Sequence, residues 1–420
     1  MIQYNYLLIT FLTCFIFTSL CRYYLARLNI THMRKFGYNV PEVFEGEIDE
    51  KTMSRITEYT VESSCFGSIV RFVDEAVLLI FLLSGILPWF VGIIQAHNIH
   101  FIPAGLIFFA GVAGAGFIIE IPFGLYRTFI IEKRYGFSTI SFKLWFIDLV
   151  KGLTLSSLLG GILLTSFLAL IHYARTTWWF WGWLLFATFQ LLVLWLYPIL
   201  IAPLFNKYEP VQDRELNEKI ISIMAKGGLT IKGVYQVDAG TRSKHTNAYF
   251  TGLGKTKRIV LYDTLLASHT TDEILAVLAH EIGHWKKKHI LKQLVLIESF
   301  SFLLFYCAYL LIDWQFMYTT FGFQENVMYA GLFILSALFK PISFFITPVL
   351  SAISRRFERE ADHYSQRLIG STASLGSALK RLAKDNLSNL YPHPMYAWFY
   401  YSHPPLVERI ARLQQIDGKL

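Results

Sequence analysis

Charge is what this 420-residue sequence has least of: Asp, Glu, Lys and Arg make up 16% of it, against 54% hydrophobic residues and a mean hydropathy of +0.43. Soluble domains carry about 25% charged residues, so the chain reads as an integral membrane protein. Cysteine is scarce too. Cys14, Cys21, Cys65 and Cys307 are scattered and form no CxxC pair, which excludes a disulfide framework and a cysteine zinc site and leaves free, buried thiols as the expectation. There is no internal repeat and no low-complexity tract. The apolar N-terminus has no Lys or Arg before it and no A-x-A site after it, so it reads as an anchor and not as a cleaved secretory signal. The net charge of +8 comes from basic residues that do not gather into one patch, so no nucleic-acid partner is expected.

Aromatics are plentiful, with 36 Phe, 23 Tyr and 10 Trp, and Trp178, Trp179, Trp181 and Trp183 cluster as they do at a membrane-water interface. Windows free of Asp, Glu, Lys and Arg cover 1–21, 76–119, 152–174 and 176–206. The second is divided by Gln95-Ala96-His97-Asn98, so these windows hold five spans of the roughly 20 residues that cross hydrocarbon. Two more spans are expected near 293–312, with Glu298 embedded, and near 328–352, with Lys340 embedded. Glu298 should face a watery interior or a base. The segments 22–75, 127–151, 207–292 and 355–420 carry 36 of the 38 basic residues, which by the positive-inside rule puts them in the cytoplasm and the N-terminus outside. The expected organisation is five spans in 1–202, a cytoplasmic segment in 203–292, two spans in 293–354, and a cytoplasmic helical segment in 355–420. The fold class is mainly α, a polytopic membrane protein of about seven spans plus an insertion with a small β-sheet.

Within 207–292, 23 residues are charged, which marks an aqueous folded segment. Its punctuation predicts a helix near 211–227, strands at 233–237, 247–250 and 258–262, and a helix opening at Thr270, where Thr270 and Glu273 have capping-box spacing. On that helix stands His280-Glu281-Ile282-Gly283-His284. An H-E-x-x-H places two imidazoles one turn apart on one face, spaced for a single tetrahedral zinc per chain, with the Glu beside the metal's water. The plain alternative is a surface helix with two solvated histidines.

A catalytic zinc needs a third protein ligand. The residues after His284 do not give the H-x-x-G-x-x-H spacing, which leaves a Glu on another helix. The candidate is Glu358, with Asp362 one turn on as its companion and Glu360 pointing elsewhere. The same stretch could also be a basic cap on the seventh span. His97, His100, His172 and His289 have no carboxylate or histidine at ligand spacing and are read as structural.

The chain resembles the type I CAAX prenyl endopeptidases, a family of membrane zinc metalloproteases. The resemblance rests on Pro203–Lys207, Arg242-Ser243 through Asn247–Phe250, Arg258–Leu266, the H-E-x-x-H, Ser354–Glu358 with Ala361-Asp362, and Tyr401–Leu406 with Glu408-Arg409. It implies that His280, His284 and Glu358 hold zinc, that Glu281 is the general base, and that Asp362 supports the ligands. It further implies that Asn247, Ala248 and Tyr249 form the edge that holds a substrate backbone, and that His403 steadies an oxyanion with Arg409 close by. The helices would enclose a chamber, and the substrate would be a peptide or protein, prenylated in the family's reaction, met at the lipid membrane. The sequence ends in Asp417-Gly418-Lys419-Leu420 without an ER-retention signal, which leaves a bacterial cytoplasmic membrane and an ER membrane equally expected. Two other readings are a quality-control protease for misfolded membrane proteins and a channel or holdase with a structural zinc; the intact Glu281 argues against the second.

Overall fold

The computed structural model describes residues 1–251 and 258–417, so Gly418–Leu420 of the C-terminus lie outside the described residues. Six of its helices are long and apolar enough to cross a membrane: Tyr6–Phe36, Phe101–Arg134, Phe142–Tyr173, Trp178–Phe205, His289–Leu311 and Met328–Ile369. Glu50–Leu83 and Ile86–Ala96, which meet at 57°, are together apolar and long enough for a seventh, broken span, and counted as one they bring the total to seven. Gly85 stands at that corner with φ +82°, a left-handed conformation that a side chain would strain. With the bent pair counted as one span, the order and number match the seven spans expected from the sequence, five in charge-free windows and two with an embedded charge. The helices, however, overrun them: the first continues to Phe36 and the second begins at Glu50, so much of 22–75, expected as loop, is helical. A charge-free window measures only the depth of hydrocarbon, whereas a helix continues into the aqueous layer wherever packing supports it.

Large apolar side chains such as Ile9, Phe17, Ile118 and Ile162 are exposed on the spans, as apolar groups are where lipid is the solvent. The four thiols are free as expected, but they are not deeply buried: Cys14 is exposed and the others half-buried. Of the tryptophans, Trp181 is exposed while Trp178 is buried against Phe167 and Tyr309. Glu298 meets no base among the described residues. Its Oε2 accepts from Ser301 Oγ at 3.2 Å.

Between the fifth and sixth spans lies a four-stranded sheet of β1 (Tyr208–Pro210), β2 (Gly233–Val237), β3 (Ala248–Thr251) and β4 (Arg258–Tyr262), in the order β1-β2-β4-β3. β2 and β4 run parallel and both outer pairs are antiparallel, so β3 is an edge strand among the described residues. β1 was not expected, and β3 begins one residue later than predicted. Val234, Ile259 and Leu261 form the inner face and pack with Ile220 and Met224 of the helix Arg214–Lys226 and with Leu278 and Ile282 of the motif helix Thr271–Lys286. That helix starts in a complete capping box: Thr270 Oγ1 accepts from Glu273 N, and Glu273 Oε2 accepts from Thr270 N. The segment is fastened to the spans by a two-pronged ion pair from Arg242 to Asp148, at 2.8 and 3.2 Å, and by His245, which stacks on Phe137.

The other face of the motif helix packs on the lower half of the seventh span's helix. They come close together at Gly283, where an added Cβ would lie 2.9 Å from Ala361 Cα and 3.0 Å from its carbonyl oxygen. Ser365 Oγ donates to the Ala276 carbonyl across the same seam, at 3.2 Å. Gly283→Ala is therefore expected to force the two helices apart and to cost about 1–3 kcal/mol. Thermal unfolding of the purified variant measures this; a variant as stable as the parent would mean that the seam gives way freely.

Candidate metal centre

The motif helix and the long seventh-span helix supply the convergent side chains. A spacing of four on one helix puts His280 and His284 on the face turned towards Glu358. Their Nε2 atoms are 3.0 Å apart. Glu358 Oε1 is 3.2 Å from His284 Nε2, and Oε2 is 3.4 Å from His280 Nε2. The three offer donor atoms that all lie within 4.8 Å of one another. Donors about 2.0–2.1 Å from one tetrahedral ion stand about 3.3–3.4 Å apart, so these separations fit a single metal of zinc's size. The chemistry fits as well, since two imidazoles and one carboxylate leave a fourth position open.

Burial makes the site electrostatically demanding. Glu358 is 3% exposed, and a carboxylate so buried must be met by positive or donor groups. Besides the histidines it has Arg409 Nη1 at 3.4 Å and His403 Nδ1 at 2.8 Å. Arg409, itself buried, donates from Nε and Nη2 to both oxygens of Asp362, at 2.9 and 2.6 Å. Asp362 Oδ1 in turn lies 2.9 Å from His280 Nδ1. The expected companion carboxylate is therefore in contact with one of the two imidazoles. His403 belongs to the turn before the last helix, Leu406–Asp417, and is largely exposed. The turn is held by Arg355, whose Nη1 donates to the Tyr401 carbonyl at 2.6 Å. Glu281 is half-exposed and makes no hydrogen bond or ion pair among the described residues.

Asn247, Ala248 and Tyr249 stand at the start of β3. Asn247 Oδ1 accepts from Ala248 N at 2.8 Å, and Tyr249 shares a hydrogen bond of 3.1 Å with Tyr208. Tyr249, Phe250 and Thr251 also border an apolar cavity of about 680 Å³ between the fifth and sixth spans, walled by Phe186, Leu194 and Leu294.

His289, expected to be structural, stands beside His284 of the metal site, while Glu360 points away from the ligand set, as expected, and meets His289 instead. His289 Nδ1 lies 3.0 Å from His284 Nδ1, and its Nε2 lies 3.2 Å from Glu360 Oε2. The only signal in sequence was a histidine five residues after a ligand, which no regular helical face brings back.

Residues 29–207 match the family described as CAAX prenyl protease N-terminal, five membrane helices, and residues 210–417 match peptidase family M48. The chain is similar to the CAAX prenyl protease 1 homolog of Arabidopsis thaliana, at 34% identity with 90% of this chain and 91% of the relative covered. It is similar to CAAX prenyl protease 1 of Saccharomyces cerevisiae at 32%, with 90% and 89% covered. The fold matches the crystal structure of S. mikatae Ste24p with a TM-score of 0.89 at 31% identity, over 96% and 97% of the two chains.

Burial and the Arg409 guanidinium push the His280 imidazole down. Hydrogen bonds to Asp362 and Glu358 outweigh them and hold it at about 9. A raised value means that the protonated ring contributes stability in full below the ordinary 6.5, and that this contribution is lost as pH rises through about 9. Metal uptake at pH 7 is therefore expected to release about one proton per chain, fading towards pH 9 and above. Titration calorimetry in two buffers of different ionisation enthalpy reads the proton count, and no release at pH 7 would contradict the assignment.

Proposed function

Because the chain belongs to peptidase family M48 and is a membrane metalloendopeptidase, we propose that it works with one zinc ion held by His280, His284 and Glu358, and that it removes the C-terminal tripeptide of prenylated CAAX proteins. The observation that carries this reading is the convergence of the three donors within 4.8 Å, beside a half-exposed carboxylate, Glu281, that makes no hydrogen bond or ion pair among the described residues. Bound zinc supplies Lewis acidity, polarising the scissile carbonyl and making water acidic enough to attack near neutral pH.

The protein's own groups do the rest. Glu281 takes the proton of the attacking water and returns it to the leaving amine. His403, on the exposed turn, steadies the negative oxygen that develops on the substrate. Asp362, clamped by Arg409, keeps the His280 proton on Nδ1 so that Nε2 is free for the metal. The free edge of β3 at Ala248 and Tyr249, with Asn247 at its start, takes up an extended peptide as an added strand. The apolar cavity beside that edge suits the isoprenoid chain of a prenylated substrate. We place the N-terminus outside and the metal site in the cytoplasm, following the asymmetry in Lys and Arg.

Glu281→Ala is expected to keep about one zinc per chain while turnover falls roughly 10²–10⁴-fold. With a farnesylated CAAX peptide, mass spectrometry of the products should find the last three residues released, with 1,10-phenanthroline abolishing the reaction and added zinc restoring it. An active metal-free preparation would overturn the zinc reading. Cleavage of unfolded membrane proteins without cleavage of the prenyl peptide would replace the CAAX reading by quality control.

A further inference from the structure

Both histidines of the motif turn Nε2 towards Glu358, so each Nδ1 carries a proton that must find an acceptor. For His280 the acceptor is Asp362. For His284 it is a second imidazole, His289 Nδ1, at 3.0 Å. A neutral ring that accepts at Nδ1 has its proton on Nε2, and His289 Nε2 stands 3.2 Å from Glu360 Oε2. Glu360 is fixed in its turn by Arg356 Nε at 3.1 Å, with Lys292 Nζ at 4.0 Å. Each link sets the direction of the next: the carboxylate fixes the tautomer of His289, and that tautomer leaves His284 only one way to hold its own proton.

The backbone is shaped for this contact. Lys288, between the motif helix and the sixth span, adopts φ +55° and ψ +38°, the left-handed region that costs a residue with a side chain roughly 1–2 kcal/mol. Such strain persists where the surroundings enforce it, and it gathers at functional sites. Here it reverses the chain so that His289, the first residue of the sixth span, faces back to His284. His289 is 1% exposed and lies flat on Phe357, with ring centres 4.2 Å apart and planes at 8°.

We propose that His289 and Glu360 are positioning residues for the metal centre: through His284 they fix the tautomer that leaves Nε2 free for zinc, as Arg409 and Asp362 do through His280. This rests on the zinc reading of the site, and its test reads metal affinity directly. In the purified full-length protein, zinc affinity is measured by competition with a chelating dye.

His289→Phe, which keeps the flat ring on Phe357, should weaken zinc binding roughly 10–100-fold. His289→Asn, whose amide oxygen can stand where Nδ1 was, should recover most of the loss. Glu360 is partly exposed, so Glu360→Ala leaves the fold intact; it should weaken binding less than His289→Phe does, and Glu360→Gln, which retains an acceptor, should stay near the parent. Because the links act in series, the double variant His289→Phe/Glu360→Ala should bind no more weakly than His289→Phe alone. The proposal is overturned if His289→Phe binds within about twofold of the parent, if Phe and Asn lose affinity equally, or if the two losses multiply in the double variant. Should His289→Phe fail to fold, the contrast between Glu360→Ala and Glu360→Gln decides, equal affinities counting against it. A parent that binds no zinc would bring down the metal reading itself.

Discussion

A carboxylate sealed from water cannot stand alone, and Glu358 is sealed. Leaving such a group unpaired costs on the order of 3–5 kcal/mol. The two imidazoles, His403 and Arg409 answer that demand from two distant stretches of the chain, the motif helix and the C-terminal turn and helix. Arg409 is buried in its turn and needs Asp362, which closes the circuit back onto His280. The site is thus a closed exchange of charges and protons with few spare partners, and the last helix is there to deliver the guanidinium that completes it.

That circuit dictates how the helices meet. The ligands can converge only if the motif helix lies almost against the backbone of the seventh-span helix, and Gly283, inside the motif itself, permits this. The small sheet supports the opposite face of the same helix with Val234, Ile259 and Leu261. Arg242 ties that support to Asp148 of the fourth-span helix and His245 ties it to Phe137 in the loop before that helix, so the aqueous segment is braced by the membrane part and does not hang from it.

What could be read in the sequence was whatever obeys a local rule. The seven spans follow from hydrocarbon thickness, the capping box from a spacing of three, and the paired imidazoles from a spacing of four. Glu358 and Asp362 were legible as a pair one turn apart, although only tertiary packing decides which atoms each of them meets. The missing parts break local rules. β1 is three residues long and exists only through its pairing with β2. His289 reaches His284 through a left-handed lysine, a conformation that no property of lysine announces. The helical stretches of 22–75 were hidden because charge marks where lipid ends and says nothing of where a helix ends.

The seventh-span helix has mechanical consequences. Its 42 residues make a continuous helix about 63 Å long, at 1.5 Å per residue. Glu358 lies 18 residues beyond Lys340, so an arm of about 27 Å of helix, with Pro341 and Pro348 inside it, separates the carboxylate from that charge within the span. A tilt of about 5° at the fulcrum would sweep the end of that arm through roughly 2 Å, ten times the tolerance of a metal-ligand distance. The seam at Gly283 makes the motif helix a passenger on the same arm, so the donors swing together and the bilayer can flex without prising the ligand set apart.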